Sequence, residues 1–269
     1  MSLAEAVKAP GAKRGLDLTF ADQRWVSPLV LIALRELGAR TGVIPPHISA
    51  APSSVVQTAW RMIVSGELPF NMLISLGRAL AGRAIGVAAG STLAVVAGLT
   101  RTGENAVDPP IQMLRTLPSL ALTPLFITWF GIGETPKIAL IALGTTFPVY
   151  LNLYSGIRGV DPKLIEAAKS FGLQGLDLII NVILPGALPS FLLGLRFALA
   201  GSWLILVVAE QINASAGLGY LINNARDFSR TDVIVVCLVV YALLGLSADA
   251  IVRALERHAL AWRPTFIKS

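Results

Sequence analysis

Long stretches without charge constrain this fold more than any other feature of the sequence. Four of them contain no charged residue and a fifth contains only Arg196; they lie at 84–100, 116–133, 138–157, 233–248 and 178–209. Crossing the hydrocarbon core of a bilayer takes about 20 apolar residues, so each stretch is a candidate span. Backbone groups in lipid must be hydrogen-bonded within their own segment, as in a helix. The sequence shows no alternation of apolar and polar residues with a period of two, so it gives no indication of a barrel. The sequence therefore predicts an all-α polytopic integral membrane protein.

The composition agrees with this class. The chain of 269 residues is 54% hydrophobic and only 14% charged, whereas soluble domains carry charge on about a quarter of their residues. The net charge of +6 comes from dispersed Lys and Arg, which is typical of the loops of a membrane protein and speaks against a nucleic-acid partner. Cys237 is the only cysteine, so no intrachain disulfide can form.

About six transmembrane helices are predicted, at 25–43, 79–100, 115–132, 137–157, 189–210 and 232–252. The first is the weakest, because its apolar run stops at Arg35 and Glu36. The long basic region before it favours an uncleaved span over a signal peptide. An even number of spans places both termini on one side. More than half of the 22 Lys and Arg residues then lie on that side, which predicts cytoplasmic termini.

These spans divide the chain into four parts. We expect a cytoplasmic N-terminal tail at 1–24, the first span with an outer amphipathic segment at 25–67, a core at 68–252 and a cytoplasmic C-terminal tail at 253–269. Within the second part, Pro45 and Pro46 end the first helix. Apolar residues recur at helical spacing over 53–64, which predicts an amphipathic helix at the membrane surface.

A short charged helix is predicted in the loop at 158–185. Asp161 can cap its N-terminus, Pro162 suits the first helical position, and Gly172 is a natural left-handed terminator. The ten or so residues between them span about 15 Å, half of what a bilayer requires. Leu164, Ala167, Ala168 and Phe171 share one face, and Glu166, Lys169 and Ser170 share the other. Spacing alone allows an ordinary interfacial helix or a helix that presents a surface to a partner.

A longer motif surrounds this helix. Glu166-Ala167-Ala168, then three residues, Gly172, nine residues and Val182-Ile183-Leu184-Pro185 resemble the cytoplasmic loop signature of ABC-importer permeases, which usually have isoleucine in place of Val182. The stretches "FITWFGIGETPKIALIALGTTFPVYLN", "VILPGALPSFLLGLRFALAGSWLILVVAE" and "SAGLGYLINNARDFSRTDVIVV" are similar to aliphatic sulfonate permeases. The resemblance runs from Trp25 to Trp262, and the wider subfamily includes taurine and nitrate permeases.

The resemblance implies a type I ABC-importer permease fold in a bacterial inner membrane. In that family the loop helix is a coupling helix, which docks on a separate ATPase. The residues that would form the coupling site here are Leu164, Glu166, Ala167, Ala168, Lys169, Phe171 and Gly172, with Pro185 at the entry to the fifth span. The implied partners are a second permease copy, two ATP-binding subunits that use ATP and Mg, an extracytoplasmic solute-binding protein and lipid. The chain itself would bind no cofactor.

Polar residues inside the spans are candidates for the substrate path. Arg196 would meet an anionic substrate, or else pair with a backbone carbonyl or a lipid phosphate. Toward the outer end of span five, a cavity could be lined by Ser202, Trp203, Glu210, Gln211 and Asn213, although packing explains Trp203 equally well.

Other classes of function have little support. The sequence has no GxxxxGK[ST] loop for ATP, and its two histidines, His47 and His258, are too far apart to indicate a metal site. No catalytic triad is apparent. An ion-coupled carrier would need an intramembrane carboxylate. The embedded residues are instead Arg83 near the outer end of span two, Arg196, Glu210 at an outer end and Asp249 at an inner end, so an ion-coupled carrier remains only as an alternative.

Overall fold

The computed structural model describes residues 20–41 and 50–260. All regular elements in these ranges are helices. The α-helices are α1 Phe20–Arg40, α2 Pro52–Val64, α3 Glu67–Leu99, α4 Arg101–Arg115, α5 Thr123–Phe130, α6 Thr135–Arg158, α7 Pro162–Ser170, α8 Gly175–Leu178, α9 Leu184–Asn213, α10 Leu218–Asp227 and α11 Thr231–Ala259. A 3-10 turn, Ser119–Leu122, precedes α5, and a π-helical segment, Ile179–Ile183, joins α8 to α9.

Four of the described helices are long and apolar enough to cross a membrane. They are Glu67–Leu99, Thr135–Arg158, the continuous helix Gly175–Ile212, and Thr231–Ala259. The predicted count of six is therefore not reproduced by single long apolar helices. The helix at the predicted first span, α1, has 21 residues, which is long enough to cross. It is not among the four apolar helices because it contains several charged residues, including Arg35, Glu36 and Arg40.

The second predicted span begins too late in the sequence. It was expected at 79–100, but α3 starts at Glu67 and has 33 residues, or about 50 Å of helix. Its extra turns contain Arg78, which is buried and paired with carboxylates. As a consequence Arg83 lies at the middle of α3 and not near its outer end, which corrects the position expected from the sequence.

The third predicted span, 115–132, is not one helix. Helix α4 ends at Arg115, and the apolar helix that follows, Ser119–Phe130, is too short to cross alone. Pro118 precedes the 3-10 turn and Pro124 lies in the first turn of α5. Proline disfavours helix in the residue before it and lacks the N–H for an intrahelical bond, so the chain breaks here.

Helices α3 and α6 run parallel and pack closely. A Cβ placed on Gly82 would lie 2.6 Å from the Ile141 Cβ, and one on Gly98 would lie 2.8 Å from Ile157. Residue numbers rise together in both helices, so their N-termini lie on one side of the molecule and their C-termini on the other. Small residues along α3 permit this approach, as in many membrane helix pairs.

Helix α9 runs antiparallel to α6. Near one end Gly156 packs on Ser190, and near the other Gly144 packs on Ile205. Helix α11 is antiparallel to α9, since Arg196 pairs with Asp249 and Glu210 bonds with Tyr241.

These directions define two sides of the molecule. The α7 side has the C-termini of α3, α6 and α11 and the start of α9. The α10 side has their opposite ends, together with α2, whose Thr58 donates to Asp232 at 2.7 Å.

The parallel pair requires the chain to cross between α3 and α6. Helix α4 begins this return on the α7 side and runs antiparallel to α6, because Glu104 accepts from Tyr154 at 2.6 Å and Asp108 accepts from Tyr150 at 2.9 Å. The 3-10 turn and α5 complete the return. The third crossing is thus present, but it is built from two helices.

Several segment predictions can be compared directly. The amphipathic helix expected at 53–64 is present as α2. Helix α11 continues to Ala259, so the first residues of the predicted tail at 253–269 are helical. Most of the N-terminal tail, the Pro45-Pro46 stop and the last nine residues lie outside the described ranges.

Candidate functional site

The short loop helix predicted from the sequence is present as α7. The Asp161 side chain accepts from the Lys163 N–H at 2.9 Å, and Pro162 occupies the first turn. Gly172 follows the helix with φ of +88°, the left-handed conformation that glycine adopts without strain. The helix has nine residues and lies beyond the end of α6, outside the membrane-crossing helices.

Helix α7 presents apolar side chains that the described residues leave exposed. Leu164 is 52% exposed and Phe171 is 88% exposed. Glu166, Ala167 and Lys169 are also exposed, so an apolar surface lies beside one acidic and one basic group. We call these five residues the α7 face.

Ala168 differs from its neighbours on the same helix. It is only 7% exposed, and its carbonyl accepts the Leu173 N–H at 3.1 Å. It therefore lies against the chain and does not share the exposed surface predicted for it.

Pro185 lies in the first turn of α9, directly after the π-helical segment. Proline has no N–H to bond the carbonyl four residues back, and a wide π turn before it accommodates this loss. Asn181 donates its side-chain amide to the Asp177 carbonyl at 2.8 Å. Together with α8, the segment connects α7 to the long helix that reaches the α10 side.

Glu210, predicted to line the substrate path, lies at the centre of a buried cluster on the α10 side. Its side chain is 0% exposed. It accepts from Ser75 at 2.8 Å, Arg78 at 2.6 Å, the Gly219 N–H at 2.9 Å and the Tyr241 hydroxyl at 3.0 Å. These donors come from α3, α10 and α11, so one carboxylate joins them to α9.

The loop between α9 and α10 is fixed to the same cluster. The Gly217 N–H donates to Asn71 Oδ1 at 2.7 Å and the Leu218 N–H donates to Ser75 Oγ at 2.8 Å. Gly217 has φ of +116°, and a Cβ there would lie 2.6 Å from a Glu210 carboxylate oxygen. Only glycine fits this position.

Arg78 extends the cluster to the surface through Glu134. Its guanidinium bonds both Glu134 oxygens, one of them at 2.7 Å from Nη2. Lys137 also reaches Glu134, at 3.2 Å. The hydrogen bonds from Arg78, followed by that from Lys137, hold the pKa of the Glu134 carboxyl below its usual value of 4.5. We call Asn71, Ser75, Arg78, Glu134, Glu210 and Tyr241 the Glu210 cluster.

The other predicted path residues do not surround one space. Arg196 and Trp203 line a cavity of about 400 Å³ between α9 and α11. Arg196 is paired with Asp249 at 3.0 Å. This partner is neither the backbone carbonyl nor the lipid phosphate that was considered from the sequence. Ser202 is buried on another face and accepts from Arg83. Gln211 is half-buried and Asn213 ends α9.

Sequence reasoning missed most of the Glu210 cluster. Of its members only Glu210 is a candidate from the sequence; Asn71, Arg78, Glu134 and Tyr241 are not. One signal was available: Arg78 stands within a long run, 68–99, in which Arg83 is the only other charged residue. A charge in such a run is usually paired inside the bundle.

A family model matches most of the chain. The model described as "Binding-protein-dependent transport system inner membrane component" covers residues 86–260. This range includes α7, Arg196 and Glu210.

Relatives with transport names are similar over most of their length. A protein of Escherichia coli (strain K12) named as an aliphatic sulfonates transport permease, SsuC, is 49% identical over 90% of this chain and 92% of its own. The SsuC of Bacillus subtilis (strain 168) is 44% identical over 98% and 94%. The taurine transport system permease protein TauC of Escherichia coli (strain K12) is 38% identical over 71% and 70%.

A solved structure shares the fold. An amino acid ABC transporter crystallised with histidines aligns with a TM-score of 0.58 at 19% identity, over 70% of this chain and 92% of that one.

Proposed function

The chain belongs to the family of binding-protein-dependent transport system inner membrane components, and we propose that it couples ATP hydrolysis by a separate subunit to the import of aliphatic sulfonates. It is the multi-pass membrane component of an ABC importer. This family assignment displaces the ion-coupled carrier considered from sequence. The observation that carries the coupling role is the α7 face, on a capped helix whose Leu164 and Phe171 side chains are exposed among the described residues.

The α7 face has the chemistry of a docking surface. Leu164 and Phe171 would bury their apolar area in a groove of the ATPase, and burial of such side chains contributes about 1.5–3 kcal/mol each. Glu166 and Lys169 would orient the helix through charge pairs at the rim. Ala168, on the buried side of α7, would pack this helix against the rest of the permease. Movement of the docked helix would reach α9 through the π-helical segment and Pro185.

The proposed assembly follows from this arrangement. Two copies of the chain would form the gated path, two ATPase subunits with ATP and Mg would dock on the α7 sides, and a solute-binding protein would meet the α10 sides. The α7 side would then be cytoplasmic, as would both termini. Exposed apolar residues along the spans, such as Leu204 and Leu243, would face lipid or the second copy.

Cargo is proposed from the relatives' names. The two SsuC proteins favour an aliphatic sulfonate. The similarity to TauC makes taurine, itself a sulfonate, the second candidate. Nitrate is the remaining alternative from the sequence.

The test is reconstitution of the permease with its ATPase in liposomes. Binding protein is added with hexanesulfonate, taurine or nitrate in turn, and ATP hydrolysis is measured. We expect stimulation only by a loaded binding protein, strongest with hexanesulfonate. No association with any ATPase, together with flux driven by a proton gradient alone, would overturn the proposal.

Variants of α7 test the docking role within the same assay. Glu166→Lys and Phe171→Asp should lose stimulated hydrolysis while the permease still inserts and keeps its melting temperature. Lys163→Glu, an exposed change in the first turn of the same helix, is the matched control and should retain most of it. Equal hydrolysis by all three would remove α7 from the coupling path.

A further inference from the structure

Arg83 is a buried cation in a helix that is long and apolar enough to cross a membrane. It lies at the midpoint of α3, with 16 residues of the 33-residue helix on either side, and it is only 6% exposed. A cation within a membrane-crossing helix is costly and normally marks a functional site.

The contacts of Arg83 leave its charge uncompensated. Its Nε donates to Ser202 Oγ at 2.7 Å, and its guanidinium carbon lies 4.1 Å from the centre of the Trp203 ring. Its Nη2 is buried without a hydrogen-bond partner among the described residues, and no carboxylate of those residues pairs with it. A buried charge without a partner costs several kcal/mol, so an anion would be stabilised beside it.

Two neutral groups of the same region also lack partners. Trp203 Nε1 and Thr145 Oγ1 are buried and make no hydrogen bond to the described residues. Trp203 stacks on Arg83, and Thr145 packs where a Cβ on Gly86, one turn along α3, would meet it at 2.6 Å. An indole N–H and a hydroxyl both donate to anionic oxygens.

An apolar cavity lies on the other side of Trp203. This space of about 400 Å³ between α9 and α11 is lined mostly by apolar residues, among them Trp203, Phe197, Leu199 and Val252, and also by the ion pair of Arg196 and Asp249. It is within the size range of small-molecule sites. Trp203 therefore separates the unpaired guanidinium from a space suited to a hydrocarbon chain.

We propose that Arg83, Ser202 and Trp203 form an intramembrane site for an alkyl sulfonate, with the sulfonate group at Arg83 and the alkyl chain in the α9–α11 cavity. The inference rests on the proposed function and deepens it, because it gives the permease its own contact with the cargo. Trp203 would have to turn toward the cavity wall for the sulfonate to reach Arg83. Sulfonate oxygens would then accept from Nη2 and the indole N–H, while Ser202, which donates to the Leu199 carbonyl at 3.0 Å and accepts from Nε, would hold the guanidinium in place.

The experiment measures sulfonate binding to the permease–ATPase complex in nanodiscs without binding protein. Radiolabelled hexanesulfonate and methanesulfonate are titrated by scintillation proximity. Arg83→Met should weaken both by about tenfold or more, since a hydrogen bond to a charged group contributes about 1.5–3 kcal/mol. Arg83→Lys should restore part of the binding. Arg226→Met, an exposed change on the α10 side, should leave both unchanged.

A second substitution separates the two halves of the site. A Cβ on Gly245 would lie 3.9 Å from Trp203, so alanine fits there, while leucine would fill the cavity. Gly245→Leu should weaken hexanesulfonate and leave methanesulfonate unchanged, and Gly245→Ala should change neither. Equal losses for both sulfonates in Gly245→Leu would overturn the placement of the alkyl chain.

Folding and coupling are checked on the same complexes. Removing an uncompensated cation should leave the melting temperature of Arg83→Met at or above that of the wild type. If the wild-type complex binds neither sulfonate, or Arg83→Met binds both as the wild type does, the inference is overturned. Stimulation of the wild-type ATPase by loaded binding protein would show in that case that the proposed function stands without it.

Discussion

Glu210 gives the sharpest stability prediction for a single residue. Glu210→Gln keeps the shape but leaves buried Arg78 with one charged partner, Glu134, and removes an acceptor from Tyr241 or Gly219. Loss of one member of a buried ion pair costs about 3–5 kcal/mol, so we expect a marked drop in melting temperature in nanodiscs. Tyr241→Phe, which removes one neutral donor, should cost only about 1 kcal/mol. Equal melting of Glu210→Gln and wild type would refute the cluster's structural role.

Glu134 adds a pH dependence whose sign follows from its partner. Because Arg78 lowers its pKa below 4.5, Glu134 stabilises the folded state above that pH. The contribution falls as pH drops below 4.5 and is lost once pH passes the folded-state pKa. The melting temperature of the wild type should exceed that of Glu134→Gln by a constant amount from pH 7 to about pH 5. The difference should shrink below that range; a gap that widened toward low pH would contradict the assignment.

Buried charges also explain what sequence reasoning missed at the residue scale. Arg78 falls just outside the second span predicted at 79–100, although a lone arginine in lipid is costly unless it is paired. Its cost is offset by Glu134 and Glu210, which lie 56 and 132 residues away in sequence. Hydropathy within one window cannot anticipate such pairs.

At the scale of elements, the α3–α6 interface depends on small residues. A Cβ on Gly90 would lie 2.7 Å from the Thr146 carbonyl oxygen, and backbone cannot move aside as a side chain can. Gly90→Ala should therefore force the helices apart and cost about 1–3 kcal/mol. Gly77→Ala is the control in the same helix, since nothing lies within 4 Å of a Cβ there. Thermal unfolding of the two variants should differ clearly; identical melting would refute close packing at Gly90.

A helix could be predicted from the sequence where the residues that start and end it lie close together in the chain. The cap, proline and glycine that define α7 lie within twelve residues, 161–172, and the expected helix formed there. The third crossing failed as a single helix because Pro118 and Pro124 interrupt an uncharged stretch that hydropathy alone reads as continuous. The parallel direction of α3 and α6 is a long-range feature, and nothing in the sequence of either helix predicts it.

For the whole molecule, α9 is the element that joins the two sides. It begins after the π-helical segment, and its last turn contains Glu210, which is bonded to α3, α10 and α11. Ser202 and Trp203 lie between these ends, beside Arg83. A displacement of α7 would thus act on the contacts of Ser202 and Trp203 with Arg83, and on the α10 side, through one helix. This continuity is consistent with a transporter in which the ATPase acts on one face and the substrate enters at the opposite face.

The two-sided arrangement can be tested by cysteine labelling. Cys237 is buried, so it is replaced by alanine to give a background without thiols. Lys169→Cys on α7 and Phe228→Cys after α10 are both at exposed positions. A membrane-impermeant maleimide should label Lys169→Cys only in inside-out vesicles and Phe228→Cys only in right-side-out vesicles.

The same experiment tests the broken third crossing, which parallel packing of α3 and α6 requires. Arg101 begins α4 on the α7 side, whereas Ile132, which is 84% exposed, follows α5 on the α10 side. Arg101→Cys should therefore label with Lys169→Cys, and Ile132→Cys with Phe228→Cys. If Arg101→Cys and Ile132→Cys were labelled from the same side, the stretch between them would not cross. The parallel arrangement, and with it the two-sided description of the molecule, would then be wrong.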